Sequence, residues 1–173
     1  MKTADKVKKL TLSAVFAAII LVVTAYVPHI PIPGTTGYVH LGDTFIYLAA
    51  CFLPTPYAIA AASIGAGLAD TLVGAYLYII PTILIKALMA AWFCDTGTKI
   101  LSARNCFGTI MAAVILVGGY YLAAVLIVGN FVSPIAATMP WNAIQALVNT
   151  VLFFVLGALM DKMHLKEKVM GNR

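Results

Sequence analysis

"LTLSAVFAAIILVVTAYV", residues 10–27, is a run of eighteen uncharged residues near the start of the chain. A helix of this length is about 27 Å long, close to the thickness of the hydrocarbon core of a bilayer. Four lysines, at positions 2, 6, 8 and 9, precede the run. A secretory signal peptide opens similarly, but its apolar region is usually shorter and ends in a small-residue cleavage site that is missing here. The run therefore predicts a membrane-spanning helix.

The remainder of the chain is just as apolar. The 173 residues are 62% hydrophobic and only 10% charged, whereas a soluble domain carries about a quarter charged residues. Hydrophobic runs separated by turns and polar connections predict membrane spans at 10–27, 41–53, 57–73, 77–94, 107–128 and 140–160. We therefore predict a polytopic all-α membrane protein, with residues 1–173 forming a single bundle of six transmembrane helices. The second helix is unusually short, and a proline-broken loop, residues 28–42, precedes it.

The basic residues indicate how this bundle is oriented. Ten of the eleven lysines and arginines lie in the N-terminal segment, the connection between the fourth and fifth spans, and the C-terminal tail. An even number of spans puts these three stretches on the same side, and the positive-inside rule then places both termini in the cytoplasm. We expect the plasma membrane of a bacterial cell. The net charge of +5 thus reports topology, and no nucleic-acid partner is expected.

Recognisable catalytic and metal-binding patterns are absent from the sequence. The three cysteines lack the spacing of a metal site, and there is no phosphate-binding loop or nucleophile motif. We therefore expect no enzymatic activity, no metal, no cofactor and no nucleotide-binding site of the protein's own.

Polar residues within the predicted spans are the candidates for a binding site. A charged side chain at a helix centre costs about 2.5–3.5 kcal/mol on insertion scales, so it usually faces a cavity or a partner. In the predicted topology, groups of this kind gather in the outer half of the bundle, and the inner half has almost none. The groups of the outer half are His40, Asp43, Asp70, Lys86, Asn142, Gln145 and Asn149. This distribution predicts a pocket open to the outside and closed below. Tyr78 and Trp141 lie at the same level and can stack on a flat ring.

Each of these residues also has a structural interpretation, which the sequence leaves open. Asp70 and Lys86 can simply neutralise one another, and the three amides of the last span can hold helices together. Asp43 can cap the second helix, and His40 can be a surface loop residue. The two aromatic residues at the outer level can be interfacial anchors.

Three segments carry a resemblance to a known family: "GYVHLGDTFIYLAA" (37–50), "GAGLADTLVGAYLYIIPTILIKALMA" (65–90) and "PWNAIQALVNTVLF" (140–153). They resemble the substrate-binding S component of energy-coupling factor (ECF) transporters, in the branch associated with hydroxymethylpyrimidine, pyridoxine or riboflavin. The resemblance implies a six-helix bundle with cytoplasmic termini. It also implies capture of a vitamin-like molecule from outside for ATP-driven uptake.

The same resemblance assigns roles to residues. It implies that the loop 28–42 acts as a lid and that Ala14 and Ala18 dock on a transmembrane T subunit. Two cytoplasmic ATPases would supply the energy. The pocket would be formed with helices four to six, which implicates Lys86, Asn142, Gln145 and Asn149.

The nature of the ligand follows only loosely from the sequence. A face of amide side chains suits the edge of a nitrogen heterocycle, and tyrosines can stack on its ring. We favour a small aromatic heterocycle of the pyridoxine or hydroxymethylpyrimidine type. A deazapurine that is a queuosine precursor, or riboflavin, remains an alternative. Two other functional classes also remain: a stand-alone carrier or channel, which needs polar groups through the inner half, and a membrane scaffold.

Overall fold

The structure is a computed structural model, and it describes residues 3–27, 30–35 and 37–171. Some residues used in the predictions lie outside this part of the chain. They are Lys2 and Arg173 among the basic residues, and positions 28, 29 and 36 of the predicted lid.

Helices dominate the described residues, which confirms the all-α class. They are α1 (Thr3–Tyr26), α2 (Gly42–Phe52), α3 (Thr55–Leu72), α4 (Ile79–Ala90), α5 (Ala103–Val128), α6 (Ser133–Ala137), α7 (Met139–Lys162) and α8 (Leu165–Met170). A 3-10 turn, Tyr76–Tyr78, leads into α4. Between α1 and α2 lies a small antiparallel hairpin of two-residue strands, β1 (Ile30–Pro31) and β2 (Tyr38–Val39), in which Ile30 pairs with Val39.

Three helical stretches are long and apolar enough to cross a membrane: Thr3–Tyr26, Ala103–Val128 and Ser133–Lys162. Gly42–Phe52 and Tyr76–Ala90 are apolar but shorter. The prediction of a polytopic helical membrane protein is consistent with these lengths, whereas six complete crossings remain a prediction.

The predicted boundaries differ from the observed ones mainly at helix ends. α1 begins at Thr3, seven residues before the predicted span, because lysine is a good helix former and extends the helix beyond the apolar run. α5 begins at Ala103 instead of residue 107, since the hydroxyl of Ser102 accepts a hydrogen bond from the Asn105 backbone N–H and caps the helix. The predicted loop 129–139 contains the short helix α6.

The short helix α2 is enclosed by the rest of the bundle. Of its eleven residues only Phe45 is not fully buried, and α2 contacts α1, α3, α4 and α7. Because other helices and not lipid surround α2, this short segment need not span the bilayer alone.

At the level of the middle of α2, three aromatic side chains pack together inside the bundle. The Tyr47 ring stacks on Phe93 with their centroids 4.9 Å apart, and Phe153 lies edge-on to both, at 5.7 Å from Tyr47 and 5.8 Å from Phe93. Tyr47 and Phe153 are fully buried. This aromatic layer separates the hairpin end of the molecule from the end that carries α8.

Candidate functional site

A cleft opens at the hairpin end of the bundle. It holds about 450 Å³ of empty space, mouth included. The β1–β2 hairpin covers one side, and the start of α4, the middle of α5 and the start of α7 form the others. Its lining is Ile32, Thr35, Gly37, Tyr38, His40, Asp70, Ala75, Tyr78, Thr82, Tyr120, Thr138, Asn142 and Gln145.

A buried ion pair lies beneath this cleft. Lys86 Nζ is 2.7 Å from Asp43 Oδ1, and both side chains are completely inaccessible to solvent. The other carboxylate oxygen of Asp43 accepts a hydrogen bond of 2.7 Å from Gln145 Nε2, and the Lys86 ammonium lies 5.2 Å from the centroid of the Tyr120 ring. The charge of Lys86 is therefore neutralised by Asp43, and the interpretation that pairs it with Asp70 is wrong.

Asn149 ties the start of α2 to α7. Its side-chain oxygen accepts hydrogen bonds from the backbone N–H and the hydroxyl of Thr44, both at 2.9 Å. Its side-chain nitrogen donates to the carbonyl oxygens of His40 at 2.8 Å and Gln145 at 2.9 Å. The first N–H groups of a helix lack partners within the helix, so Asn149 caps α2 from another element.

Asp43 does not cap α2, although its position near the helix start suggested that it could. The N-cap residue is Leu41, and no side chain within the segment caps the helix. Instead, the Gly42 N–H donates to His40 Nδ1 at 3.1 Å. His40 is itself only 6% exposed, and its backbone N–H donates to Gln145 Oε1 at 3.2 Å. It is therefore not a surface loop residue.

Near the mouth, the hairpin is joined to α3. The Tyr38 hydroxyl donates a hydrogen bond of 2.9 Å to Asp70 Oδ1. Burial, together with the neighbouring Asp70 carboxylate, raises the pKa of the Tyr38 phenol, so the phenol keeps its proton at neutral pH. Thr82 and Tyr120 share a hydrogen bond of 2.9 Å on the adjacent wall.

Comparison with known proteins identifies the family. The family model described as "ECF-type riboflavin transporter, S component" matches residues 4–162. The chain belongs to this family. It is also 27% identical over 141 residues to an "Uncharacterized protein in gap 3'region" of Pyrococcus woesei, an alignment that covers 80% of this chain and 86% of that protein.

Membership gives the S component its general role. It is a membrane-embedded, vitamin-type substrate-binding subunit of a transporter and not an enzyme, and the family implies association with a T subunit and ATPases. The resemblance noted in the sequence is thereby confirmed at the level of the ECF S component.

The structure of the S component brings most predicted site residues together, but in two layers. Five of them line the cleft: His40, Asp70, Tyr78, Asn142 and Gln145. Asp43, Lys86 and Asn149 lie beneath as a fully buried network. Trp141 is half-buried and is not part of the cleft lining.

Sequence reasoning missed four polar side chains of the cleft: Thr35, Tyr38, Thr82 and Thr138. Two of them carry a signal that points to the site. Tyr38 is two residues before His40, so the two residues share one side of an extended segment, and their rings lie 5.4 Å apart. Thr82 is four residues before Lys86, one turn earlier on the same helix face.

Proposed function

We propose that this S component captures a small aromatic nitrogen heterocycle, of the size of pyridoxine or a hydroxymethylpyrimidine, and releases it for ATP-driven uptake. One observation carries the proposal. The cleft under the hairpin combines tyrosine rings with side chains that donate and accept hydrogen bonds, and it is closed below by a neutralised ion pair.

The walls of the cleft suit a flat ring with polar edges. Tyr78 and Tyr120 line one side, with ring centroids 6.1 Å apart and planes tilted by 53°. Such rings bind heteroaromatic molecules through offset or edge-on contacts. A second polar group faces the same space, because the Asn142 side chain lines the cleft and has no hydrogen-bond partner among the described residues. Its amide offers both a donor and an acceptor to a ring nitrogen or hydroxyl group.

The hairpin acts as a lid in this proposal. It is joined to α3 by the hydrogen bond between the Tyr38 hydroxyl and the Asp70 carboxylate, and a hydrogen bond to a charged group contributes about 1.5–3 kcal/mol. A ligand enters when this contact opens, and the contact re-forms, or is replaced by a ligand contact, when the lid closes.

Orientation and assembly are part of the same proposal. The basic residues favour cytoplasmic termini, which would direct the cleft to the outside of the cell membrane. Ala14 and Ala18 lie on the exposed face of α1, where small residues permit close approach of a partner helix. We assign this face to the T subunit, which together with two ATPases would drive release.

Riboflavin is the second candidate, because the matching family model carries that description. Its ring system is also flat and rich in nitrogen, so the same tyrosines and amide suit it. A larger ligand requires the hairpin to move further from α3 than a pyridine or pyrimidine does.

Mass spectrometry of the small molecule that copurifies with the protein in mild detergent tests the proposal. We expect a pyridine or a pyrimidine, and a flavin would favour the second candidate. Asn142→Ala should lose the compound, whereas Asn130→Ser, which alters an exposed loop amide, should retain it. If no compound copurifies, and titration with pyridoxine, hydroxymethylpyrimidine and riboflavin gives no binding, the proposed capture function is wrong.

A further inference from the structure

We infer that the ligand is an amino-substituted or protonated nitrogen heterocycle whose N–H group donates to Asp70, and that phosphorylated or carboxylated relatives are rejected. The inference rests on the proposed capture function and adds the chemical class of the ligand to it.

Charge is the first argument. Asp70 is the only carboxylate among the described residues that line the cleft, and none of these residues is a lysine or an arginine. Lys86 lies beneath the cleft, 2.7 Å from Asp43, and is not among the residues that line it. A ligand in the cleft therefore meets one carboxylate and no lysine or arginine.

His40, the histidine of the cleft, is hydrogen-bonded within the protein. Nδ1 of His40 accepts a hydrogen bond from the Gly42 backbone N–H. Nε2 of His40 lies 3.3 Å from Gln145 Nε2. Burying an anion without a cationic partner is costly, so a lining without lysine or arginine disfavours anionic ligands.

The hydrogen bonding of Asp70 is the second argument. Asp70 is only 5% exposed. Oδ1 accepts from the Tyr38 hydroxyl, but Oδ2 is buried without a hydrogen-bond partner among the described residues. The Thr82 hydroxyl interacts with the Asp70 carboxylate and shares a hydrogen bond of 2.9 Å with the Tyr120 hydroxyl. A buried carboxylate oxygen without a donor is costly, and an N–H group of a bound ligand would satisfy it.

These two properties together select a class of ligand. An exocyclic amine or a protonated ring nitrogen both donates a hydrogen bond to a carboxylate and favours its negative charge. A carbonyl oxygen at the same ring position is an acceptor and cannot donate a hydrogen bond to the carboxylate oxygen. A phosphate ester buries negative charge in a lining that offers it no lysine or arginine as a partner. We therefore expect discrimination by both the amine and the net charge of the ligand.

Calorimetric titration of the full chain in lipid nanodiscs tests this inference with matched probes. These are 4-amino-5-hydroxymethyl-2-methylpyrimidine, its 4-oxo analogue and the phosphate ester of the amino compound. We expect the amino compound to bind at least tenfold more tightly than the oxo analogue, and the phosphate ester not to bind. Asp70→Asn should abolish or reverse the preference, because the asparagine amide donates to the oxo group. Asp95→Asn, in the α4–α5 connection away from the cleft, should leave the preference unchanged.

The outcomes separate this inference from the capture function. Equal affinity of the unmodified protein for the amino and oxo compounds, or binding of the phosphate ester, would overturn the role of Asp70 and leave capture intact. Binding of riboflavin but of none of the pyrimidines would also overturn the role of Asp70 and leave capture intact. If neither the pyrimidines nor riboflavin binds, both proposals fail. Should Asp70→Asn not fold, the comparison in the unmodified protein still decides, and Tyr38→Phe, which keeps the carboxylate, should retain the amino preference.

Discussion

At the scale of single residues, the buried Lys86–Asp43 ion pair lies directly beneath the cleft. Neither side chain reaches solvent, and Gln145 supplies a further donor to the carboxylate. A buried ion pair contributes little net stability compared with apolar residues of similar size, but removing one partner leaves an unpaired charge in an apolar environment. The pair therefore acts as a structural support that holds α2 against α4 and α7.

The ion pair leads to a double-mutant prediction. Lys86→Met and Asp43→Asn should each destabilise the protein by about 3–5 kcal/mol, since each leaves one buried charge unpaired. The double variant should lose clearly less stability than the sum of the two. Thermal unfolding in detergent measures all three variants against the unmodified protein. Additive losses would mean that the two groups do not interact as the structure indicates.

At the scale of elements, the close contact between α1 and α3 depends on a glycine. A Cβ atom on Gly65 of α3 would lie 2.6 Å from the Ala17 carbonyl oxygen and 3.0 Å from the Ile20 side chain. Small residues allow such close packing of helix backbones in lipid, where hydrophobicity alone does not hold helices together. Ala17 thus faces inward, and Ala14 and Ala18 remain on the exposed face of α1.

Adding a methyl group at this contact should separate the two helices. We expect Gly65→Ala to lower the stability by about 1–3 kcal/mol, as overpacking does in a tight interface. Gly118→Ala on α5 is the matched control, because no atom lies within 4 Å of its added Cβ and alanine is the better helix former. The two melting temperatures in detergent provide the measurement. An unchanged melting temperature for Gly65→Ala would show that α1 shifts without a penalty.

At the scale of the whole molecule, the two ends of the bundle have different properties. The hairpin end holds the cleft and the polar network, and the aromatic layer of Tyr47, Phe93 and Phe153 closes the path toward the other end. This arrangement suits a subunit that binds its ligand from one side and depends on partners for release.

Dependence on partners can be tested on the exposed face of α1. Replacing both Ala14 and Ala18 by leucine should spare ligand binding by the isolated subunit, because neither residue contacts the cleft. Copurification with the T subunit should fall at least tenfold, since larger side chains prevent close helix approach. Ala158→Leu, an exposed alanine on α7, is the control. Undiminished copurification of the double variant would assign docking to another face.

The sequence alone predicted much of this architecture because hydrophobic length and polar placement are local properties. The uncharged run 10–27 predicted α1, and the spacing of Asn142, Gln145 and Asn149 placed three amides on one helix face, all of them now buried. The resemblance to S components followed from contiguous segments, and the family match confirmed it. Helix ends were predicted less well, because capping by Ser102 depends on a single side-chain hydrogen bond.

Tertiary structure decided which polar groups face the ligand space and which hold the bundle together. Lys86 and Asp70 were both candidates for contact with a ligand, but Lys86 pairs with Asp43, from a helix more than thirty residues earlier in the chain, and only Asp70 lines the cleft. Tyr38 joined the site because the hairpin folds over α3. Composition and periodicity determine that a polar residue lies within a membrane-spanning segment. Which group it pairs with depends on how separate helices pack in three dimensions.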